Sequence, residues 1–310
     1  MKELVAALDD AGSSLELELG GRELRLSSLD KVYWPRTGHT KRDLIRYYLR
    51  VAPVLLGHIR YRPLTLGRYP EGVEGPNWFQ TNCPHPPPWL QTHRVSNDAV
   101  GAVTRNYCVV DDLAGLLWAV NLGSVELHPL LSRAQSPGEP NALVFDLDPG
   151  APATVVECCD VALELRDALA EVGLPSFAKT SGGLGLHVLV PLARGHDYAQ
   201  TKSFARYTAR ALADRRPETV TALPQRAQRG GKVFVDWSQN DRNKSTVAAY
   251  SLRALPWPAA STPLSWEEVG VVAAERSVEA LPLGADATLT RLESAGDLFA
   301  GMLEPDQSLP

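Results

Sequence analysis

The chain has 310 residues, of which 44% are hydrophobic and 22% charged, the balance of a folded protein with one large core or two smaller ones. No apolar run approaches the ~18 residues that a membrane span needs, so we expect no membrane contact. Acidic residues in MKELVAALDDAG stand where an export signal would be basic, and a cytoplasmic location is therefore expected.

The charges are unevenly distributed along the chain. The formal net charge of −5 argues at first against a nucleic-acid partner. Between Arg22 and Arg68, however, eleven Lys or Arg residues stand against three acids, and between Lys202 and Arg253 eleven stand against four. Basic runs are commonly solvated surface, but two of them on an acidic chain favour a polyanionic partner.

The four cysteines indicate the redox environment of the protein and a possible metal site. Cys83, Cys108, Cys158 and Cys159 form no CxxC pair, and we expect reduced thiols of a cytoplasmic protein. A zinc site built from Cys83, His85, His93 and Cys108 stays open as an alternative, although the spacing fits no usual zinc pattern.

The first 130 residues mix short strands with two helices. LELELGGRELRL alternates in polarity and predicts a hairpin that turns at Gly20-Gly21. Thr40 and Asp43 resemble a capping box at the start of a helix. Residues 60–93 are rich in Pro, Gly and aromatics and predict strands and long loops, and 112–122 predicts a buried helix.

From residue 142 onwards strands alternate with helices. Strands are predicted at 142–148, 186–192, 232–237 and 246–252. Helices are predicted from Thr154 to about Gly173 and over 198–213, and the acidic tail after Pro256 is predicted to become helical. This order indicates an α/β arrangement around a sheet.

Three acids at strand ends carry the chemistry. Asp146 and Asp148 lie two residues apart, so they share one face of a strand whose other face carries Leu143, Phe145 and Leu147. Asp236 closes the strand KVFVDW in the same way. Carboxylates suit hard cations, and we expect Asp146, Asp148 and Asp236 to hold two Mg²⁺ or Mn²⁺ ions for phosphoryl transfer.

Donors for a polyphosphate are predicted between and around the acids. KTSGGLGLH at 179–187 places Lys179 and His187 on either side of a Gly-rich turn whose N–H groups can bind an anion. Cationic partners are available at Arg229, Lys232, Lys244 and Arg253, although any one of them taken alone is more commonly solvent-exposed.

Three motifs in this order resemble the polymerase domain of bacterial ligase D, in the archaeo-eukaryotic primase superfamily. They are FDLDPG (145–150), KTSGGLGLHVLVPL (179–192) and VDWSQNDRNKSTVAAYSLRA (235–254). LDKVYWP, TKRDLIRYY, GVEGPNWFQTNCP, ELHPL and GDLFAGMLE extend the resemblance over nearly the whole chain. The implied fold is α/β (α+β), a primase-like catalytic core with central mixed or antiparallel sheets flanked by helices.

The resemblance implies one domain over 1–310, with a DNA-end-binding portion at 1–130, a catalytic portion at 131–256 and an acidic segment at 257–310. It implies catalytic and metal-binding roles for the three acids. Its nucleotide-binding positions are His128, Lys179, Ser181, His187, Arg229, Gln239 and Arg253. Lys31 and Lys41 match lysines that grip a 5′-phosphate, and Trp78 and Phe79 match an aromatic pair that packs against the template base. Leu66-Gly67 departs from the basic residues that relatives often carry there.

The implied activity is a template-dependent polymerase and primase of bacterial end joining or gap repair. It would prefer ribonucleotides, often use manganese, and act at gapped or recessed DNA ends that carry a 5′-phosphate. Ku and an ATP-dependent DNA ligase are the implied protein partners, either of a stand-alone enzyme or of a domain in a larger ligase. Two other classes stay open: a DxD-type hydrolase or glycosyl transferase, and a catalytically inactive DNA-end-binding module of the same fold.

Overall fold

A computed structural model describes residues 1–97 and 103–310. Its helices are α1 (Lys2–Asp10), α2 (Lys41–Ile59), α3 (Leu113–Asn121), α4 (Val155–Glu171), α5 (Tyr198–Arg215), α6 (Trp266–Glu275) and α7 (Ala285–Ala295). Its strands are β1 (Ser14–Leu19), β2 (Arg22–Ser27), β3 (Val32–Trp34), β4 (His39–Thr40), β5 (Pro63–Arg68), β6 (Trp78–Gln80), β7 (Gln91–Asn97), β8 (Val103–Val109), β9 (Ser124–Pro129), β10 (Ala142–Pro149), β11 (Phe177–Thr180), β12 (Leu186–Pro191), β13 (Val220–Thr221), β14 (Val233–Asp236), β15 (Leu252–Ala254), β16 (Pro258–Ala260) and β17 (Pro263–Leu264). None of the helices in this part of the chain is long and apolar enough to cross a membrane.

A six-stranded sheet in the order β13-β14-β10-β12-β11-β17 forms the centre of the second half of the chain. Only the β13–β14 pair is parallel. In this register Asp146 lies opposite both Asp236 and His187, and His187 lies opposite Lys179. Four polar residues therefore form one row across four neighbouring strands, because directly opposed residues share a sheet face.

The two faces of β10 belong to different cores. Leu143, Phe145 and Leu147 pack in a cluster with α4, α5 and α6, whereas Ala142 and Val144 pack in the other large cluster. Asp146 and Asp148 continue the second face to the end of the strand. The predicted separation of the acids from the three apolar residues is therefore confirmed.

A five-stranded sheet holds the N-terminal half, with β9 on one side of β5 and β6 and β8 on the other. Helix α2 packs against it and starts at the predicted capping box of Thr40 and Asp43. The same hydrophobic cluster includes Leu289 of α7 together with Phe299 and Met302, so both ends of the chain share one core.

The predicted hairpin at 15–26 and the helices predicted after Thr154 and over 198–213 are confirmed. The strand predicted at 246–252 is wrong, since only Leu252 enters a strand there. Thr246 and Ala248 donate backbone hydrogen bonds to β9 at 3.2 and 2.9 Å. The left-handed φ of 65° at Tyr250 then turns the chain away, so a buried apolar segment with the composition of a strand stays irregular.

Two of the four cysteines correct the expectation of reduced thiols. Cys83 and Cys108 form a disulfide with their Cα atoms 4.8 Å apart, while Cys158 and Cys159 are free and buried. The alternative zinc site is wrong as well, because its two sulfurs are bonded to each other. The backbone N–H of Cys83 donates to the carbonyl of Asn106 on β8 at 2.6 Å. This backbone pairing, which the spacing in sequence does not reveal, sets the bridge.

We expect the unfolded but unreduced protein to titrate as two thiols and the reduced protein as four. Replacing Cys83 and Cys108 together by Ser should lower the free energy of unfolding by roughly 2–4 kcal/mol, because the bridge constrains the unfolded chain. Urea denaturation measures this loss. Reductant should destabilise the wild-type protein and leave the double variant unchanged, and four thiols without reductant would contradict the bridge.

Candidate active site

A cleft of about 360 Å³ lies between the two sheets. Predicted site residues from both halves of the chain line it: Phe79, His128, Asp146, His187, Gln239 and Arg253. Thr65 of β5 and Thr246 of the irregular segment complete the walls. The fold thus assembles in one place side chains that lie more than 170 positions apart in sequence.

The three acids lie on one face of the sheet. Gln239 Nε2 donates to Asp236 Oδ2 at 3.0 Å and lies 3.5 Å from Asp146 Oδ2, so one amide group bridges the two carboxylates. The other oxygen of Asp236 accepts hydrogen bonds from the backbone N–H and the hydroxyl of Ser238, at 2.8 and 2.6 Å. Asp148 lies on the same sheet face, two residues beyond Asp146.

The electrostatics of the cluster differ from acid to acid. Burial, followed by the charges of Asp146 and Asp236, raises the pKa of Asp148 to about 6. Arg229 opposes this only weakly, with Nη1 at 3.8 Å from Asp148 Oδ2. Burial also raises the pKa of Asp146, but His187 and then Lys179 outweigh it and keep the pKa below its usual value. Negative charge is therefore left uncompensated at the edge where Asp148 lies.

The carboxylates are chemically suited to a hard divalent cation, although among residues 1–97 and 103–310 no three His, Cys, Asp or Glu side chains lie together in a way that could hold a metal ion. Carboxylate oxygens are the ligands that Mg²⁺ and Mn²⁺ prefer. The raised pKa of Asp148 marks the excess negative charge that a cation would relieve. The Gln239 amide group lies between Asp146 Oδ2 and Asp236 Oδ2, the position that a bound cation would take.

The polar row continues inward from Asp146. His187 Nε2 lies 3.2 Å from Asp146 Oδ1, and Lys179 Nζ lies 2.8 Å from His187 Nδ1. Because the lysine donates to Nδ1, the ring proton stays on Nε2 and points to the carboxylate. Burial and then Lys179 lower the pKa of His187 to about 4.

Lys179 itself does not reach the cleft. Its side chain is 1% exposed, and its ammonium also donates to Ser261 Oγ at 2.7 Å. It borders a separate cavity of about 60 Å³ on the far side of the row. Burial, followed by Arg253, lowers its pKa well below the usual value. In this conformation Lys179 is hydrogen-bonded to the cleft residue His187, and its charge also lowers the pKa values of Asp146 and His128.

Ser181 closes the Gly-rich turn beside the end of β10. Its hydroxyl accepts hydrogen bonds from the N–H groups of Gly183 and Gly185, at 3.1 and 3.2 Å. A Cβ on Gly185 would lie 2.0 Å from the carbonyl oxygen of Leu147, so only glycine allows this approach. Arg253 Nη1 donates to the carbonyl of Ser181 at 2.7 Å and joins the turn to the cleft wall.

Arg229 lies on the outer side of Asp148. Its guanidinium stacks 3.7 Å from the ring centroid of Phe234 and donates to the carbonyl of Pro224 at 2.7 Å. Its Nε is buried and has no hydrogen-bond partner among the described residues. The Arg229 guanidinium thus lies beside the acid cluster, outside the cleft.

The two predicted phosphate-binding lysines are neighbours. The N–H of Lys41 donates to the carbonyl of Lys31 at 2.8 Å, across the β3–β4 pair. Lys31 Nζ contacts Glu71 Oε2 at 2.6 Å, and Lys41 Nζ donates to Asn121 Oδ1 at 2.8 Å. Burial, and next the charge of Lys31, lower the pKa of Lys41 to about 8. An anion would relieve the repulsion between the two ammonium groups.

The predicted aromatic pair is solvent-exposed, by 43% at Trp78 and 59% at Phe79. The ring of Phe79 meets that of His128 edge-on, with centroids 5.1 Å apart, so it stands in the cleft wall. Trp78 instead carries the Arg68 guanidinium 5.2 Å from its ring. Exposed aromatics beside a polar cleft are suited to stacking on a flat ligand.

Glu126 and Asn240 are site residues that the sequence analysis missed. Glu126, 4% exposed, accepts hydrogen bonds from His128 and from the backbone of Ala254. Asn240 is fully buried, and its side chain pairs with both backbone groups of Val144, which fixes the segment after Asp236 against β10. Glu126 could have been found from its position two residues before His128 on one strand. Nothing in the sequence reveals that Asn240 bonds to a strand edge.

Acids on one face of a mixed sheet, beside a cleft lined by an arginine and histidines, are an arrangement suited to phosphoryl transfer. The family model described as LigD, primase-polymerase domain matches residues 40–299. The chain belongs to this family.

Individual relatives agree. The multifunctional non-homologous end joining DNA repair protein LigD of Mycobacterium tuberculosis (strain ATCC 25618 / H37Rv) is 37% identical over 287 residues, which are 90% of this chain and 37% of that protein. The LigD protein of Pseudomonas aeruginosa is 33% identical over 279 residues, 84% of this chain and 30% of that protein. The chain thus spans about a third of the length of these two relatives.

A solved structure is similar over nearly the same range. The polymerase domain from Mycobacterium tuberculosis ligase D in complex with DNA matches with a TM-score of 0.83 and 36% sequence identity, over 91% of this chain and 98% of that one. The predicted family and α+β fold class are therefore confirmed.

Removing the charge of Asp148 should stabilise the protein when divalent ions are chelated. The pKa of about 6 shows that the carboxylate is disfavoured in the fold. After discounting for a side chain that is 50% exposed, we expect Asp148→Asn to raise the free energy of unfolding at pH 8 by on the order of 1 kcal/mol. Adding Mn²⁺ should stabilise the wild-type protein more than the variant. Thermal denaturation with EDTA and with Mn²⁺ measures both effects, and a variant less stable in EDTA would contradict the charge argument.

Proposed function

We propose that this protein is a template-dependent polymerase that adds nucleotides, preferably ribonucleotides, to the primer 3′-hydroxyl at gapped or recessed DNA ends with a 5′-phosphate. The observation that carries the proposal is the convergence of Asp146, Asp148 and Asp236 on one sheet face beside the cleft. Residues 1–130 would serve mainly in end binding, 131–256 in catalysis, and 257–310 as an acidic C-terminal segment of one domain.

Asp146, Asp148 and Asp236 would hold two divalent ions, Mn²⁺ or Mg²⁺. When bound, such ions activate the attacking hydroxyl and offset the charge of the leaving pyrophosphate. Ser238 contacts one oxygen of Asp236 and His187 one oxygen of Asp146, so the Oδ2 atom of each carboxylate is left facing the Gln239 amide. Gln239 would leave its bridging position when ions bind.

The nucleotide would be held by cleft residues with different tasks. Arg253 and the turn at Ser181 offer donors to the triphosphate, and Arg229 adds positive charge from the outer side of Asp148. His128 and His187 line the cleft beside them, and Lys179 supports His187 from below. No covalent enzyme intermediate is required, because positioning and charge neutralisation supply the catalysis.

The DNA end would be recognised outside the cleft. Lys31 and Lys41 form a pair of ammonium groups suited to a terminal 5′-phosphate, a group that such point charges bind. Phe79 at the cleft wall, with Trp78 beside it, would stack on the template base.

We further propose that the protein works in bacterial DNA break or gap repair in the cytoplasm, with Ku and an ATP-dependent DNA ligase as partners. The support is that the relatives are non-homologous end joining proteins, one of whose polymerase domains is known in complex with DNA. Retention of all three acids disfavours the inactive end-binding alternative.

Extension of a one-nucleotide gap tests the polymerase activity. With Mn²⁺ and a 5′-phosphate, we expect addition of one nucleotide, faster with ribo- than with deoxyribonucleotides. Asp146→Ala with Asp148→Ala should reduce extension to the level without enzyme while gapped DNA still binds, because the acids serve chemistry and the lysines serve binding. Asp167→Ala, at a carboxylate 64% exposed on α4, is the matched control. Extension by the double variant would contradict the assignment.

Neutralising the lysine pair tests end recognition. Lys31→Ala or Lys41→Ala should reduce the preference for phosphorylated over unphosphorylated gaps and lower the salt slope of binding by about 1, as expected for one lost phosphate contact. Binding titrations at several salt concentrations measure the slope. Arg36→Ala, which removes a 71% exposed cation near the pair, is the control. An unchanged preference in both lysine variants would place the phosphate elsewhere.

A further inference from the structure

Glu126 is a buried carboxylate that joins two cleft residues. It lies on β9 and is 4% exposed. His128 Nε2 donates to its Oε2 at 2.8 Å, and Arg253 Nε lies 3.2 Å from the same oxygen. Its other oxygen accepts from the backbone N–H of Ala254 at 3.0 Å and from the hydroxyl of Tyr69 at 3.3 Å. A buried charge with this many partners is held in one orientation.

Glu126 fixes the tautomer of His128. Burial raises the pKa of Glu126, but the hydrogen bond from His128 and then the charge of Arg253 outweigh it and bring the pKa to about 2. The carboxylate can only accept, so the ring proton of His128 must be on Nε2. Burial lowers the pKa of His128, and among its charged neighbours Glu126 opposes this while Arg253 and Lys179 add to it. The ring therefore stays neutral near pH 7, with the lone pair of Nδ1 as its remaining acceptor.

Glu126 also forms an ion pair with Arg253, although Arg253 Nε makes no hydrogen bond among the described residues. The guanidinium extends from Glu126, on its Nε side, to the carbonyl of Ser181, which accepts from Nη1 at 2.7 Å. Without the carboxylate a long cationic side chain would keep only the contact with the Gly-rich turn. His128 and Arg253 both line the cleft, so the buried carboxylate of Glu126 contacts two of the side chains in its walls.

The neighbouring strand makes room for Glu126. Gly67 on β5 lies directly opposite Glu126 on β9. A Cβ on Gly67 would lie 2.7 Å from the Cβ of Glu126, a distance that real side chains do not reach. Gly67 is thus the position where the strand approaches the carboxylate-bearing residue most closely.

We propose that Glu126 is a positioning residue of the polymerase: it holds His128 as the Nε2–H tautomer and holds the Arg253 guanidinium against the cleft, so that both meet the incoming nucleotide in a fixed geometry. This inference rests on the proposed function. In this tautomer Nδ1 of His128 is left to accept a hydrogen from a hydroxyl or amino group of the ligand, whereas Arg253 donates to phosphate oxygens.

The test compares Glu126→Gln with Glu268→Gln. Both substitutions preserve size and remove the charge of a glutamate paired with an arginine, and Glu268 lies on α6 in a pair with Arg291, away from the cleft. With gapped DNA and Mn²⁺, we expect kcat/KM for the nucleotide to fall roughly 10–100-fold in Glu126→Gln, mostly through KM, and to stay near wild type in Glu268→Gln.

Nitrogen NMR of ¹⁵N-histidine-labelled protein reads the tautomer directly and requires no turnover. The wild-type signal of His128, assigned by its loss in His128→Gln, should show protonated Nε2 and unprotonated Nδ1. In Glu126→Gln the ring should lose this fixed tautomer, because an amide can either donate or accept. In Glu268→Gln it should be unchanged.

A third arm displaces Glu126 without changing its chemistry. Gly67→Ala adds a methyl group against Glu126 Cβ and should raise KM in the same direction. Wild-type KM and a retained Nε2–H tautomer in Glu126→Gln would overturn the proposal. So would a lower kcat and melting temperature with KM and tautomer unchanged, which is the result of a purely structural role. If the wild-type protein extends no primer, the proposed function fails, and the NMR result still decides the role of Glu126.

Discussion

The cross-strand register at Asp146 is the constraint on which the site depends. Antiparallel pairing places Asp146 opposite Asp236 on one neighbouring strand and opposite His187 on the other. The two acids and the histidine therefore meet on one face of the sheet, and each is held by a strand rather than a loop. The cost is concentrated negative charge at Asp148, whose pKa is raised to about 6. A slip of one residue would send the acids into the α4–α5 core, so the apolar residues that alternate with the acids also enforce the site.

Much of this could be predicted from the sequence, for physical reasons. Strand alternation fixes which face Asp146 and Asp148 share, and capping residues mark helix starts such as Thr40 and Thr154, because both effects act within a few positions. Features that depend on contacts between distant parts of the chain could not be predicted from the sequence. The bridge between Cys83 and Cys108 depends on how the chain pairs with β8, and the irregular course of 246–251 depends on contacts with β9.

Predicted roles and observed burial also differ in an instructive way. A lysine before a Gly-rich turn is a natural candidate for phosphate binding, yet the Lys179 side chain is enclosed, does not line the cleft, and is hydrogen-bonded to His187 instead. Glu126, by contrast, was not among the predicted site residues, although it contacts both His128 and Arg253 of the cleft. Residue type indicated which chemistry is present. Only the packing showed which side chains line the cleft and which are buried and contact the cleft residues.

The disulfide has a consequence for the rigidity of the cleft wall. Cys83 follows Phe79 by four residues, and the bridge attaches this segment covalently to β8. In a compartment that keeps thiols reduced, the same segment would be held only by non-covalent contacts: packing of Cys83 on the hydrophobic core and hydrogen bonds between Asn82, Cys83 and Asn106. The freedom of the aromatic ring at the mouth of the cleft would then follow the cell's balance of thiol reductants and oxidants.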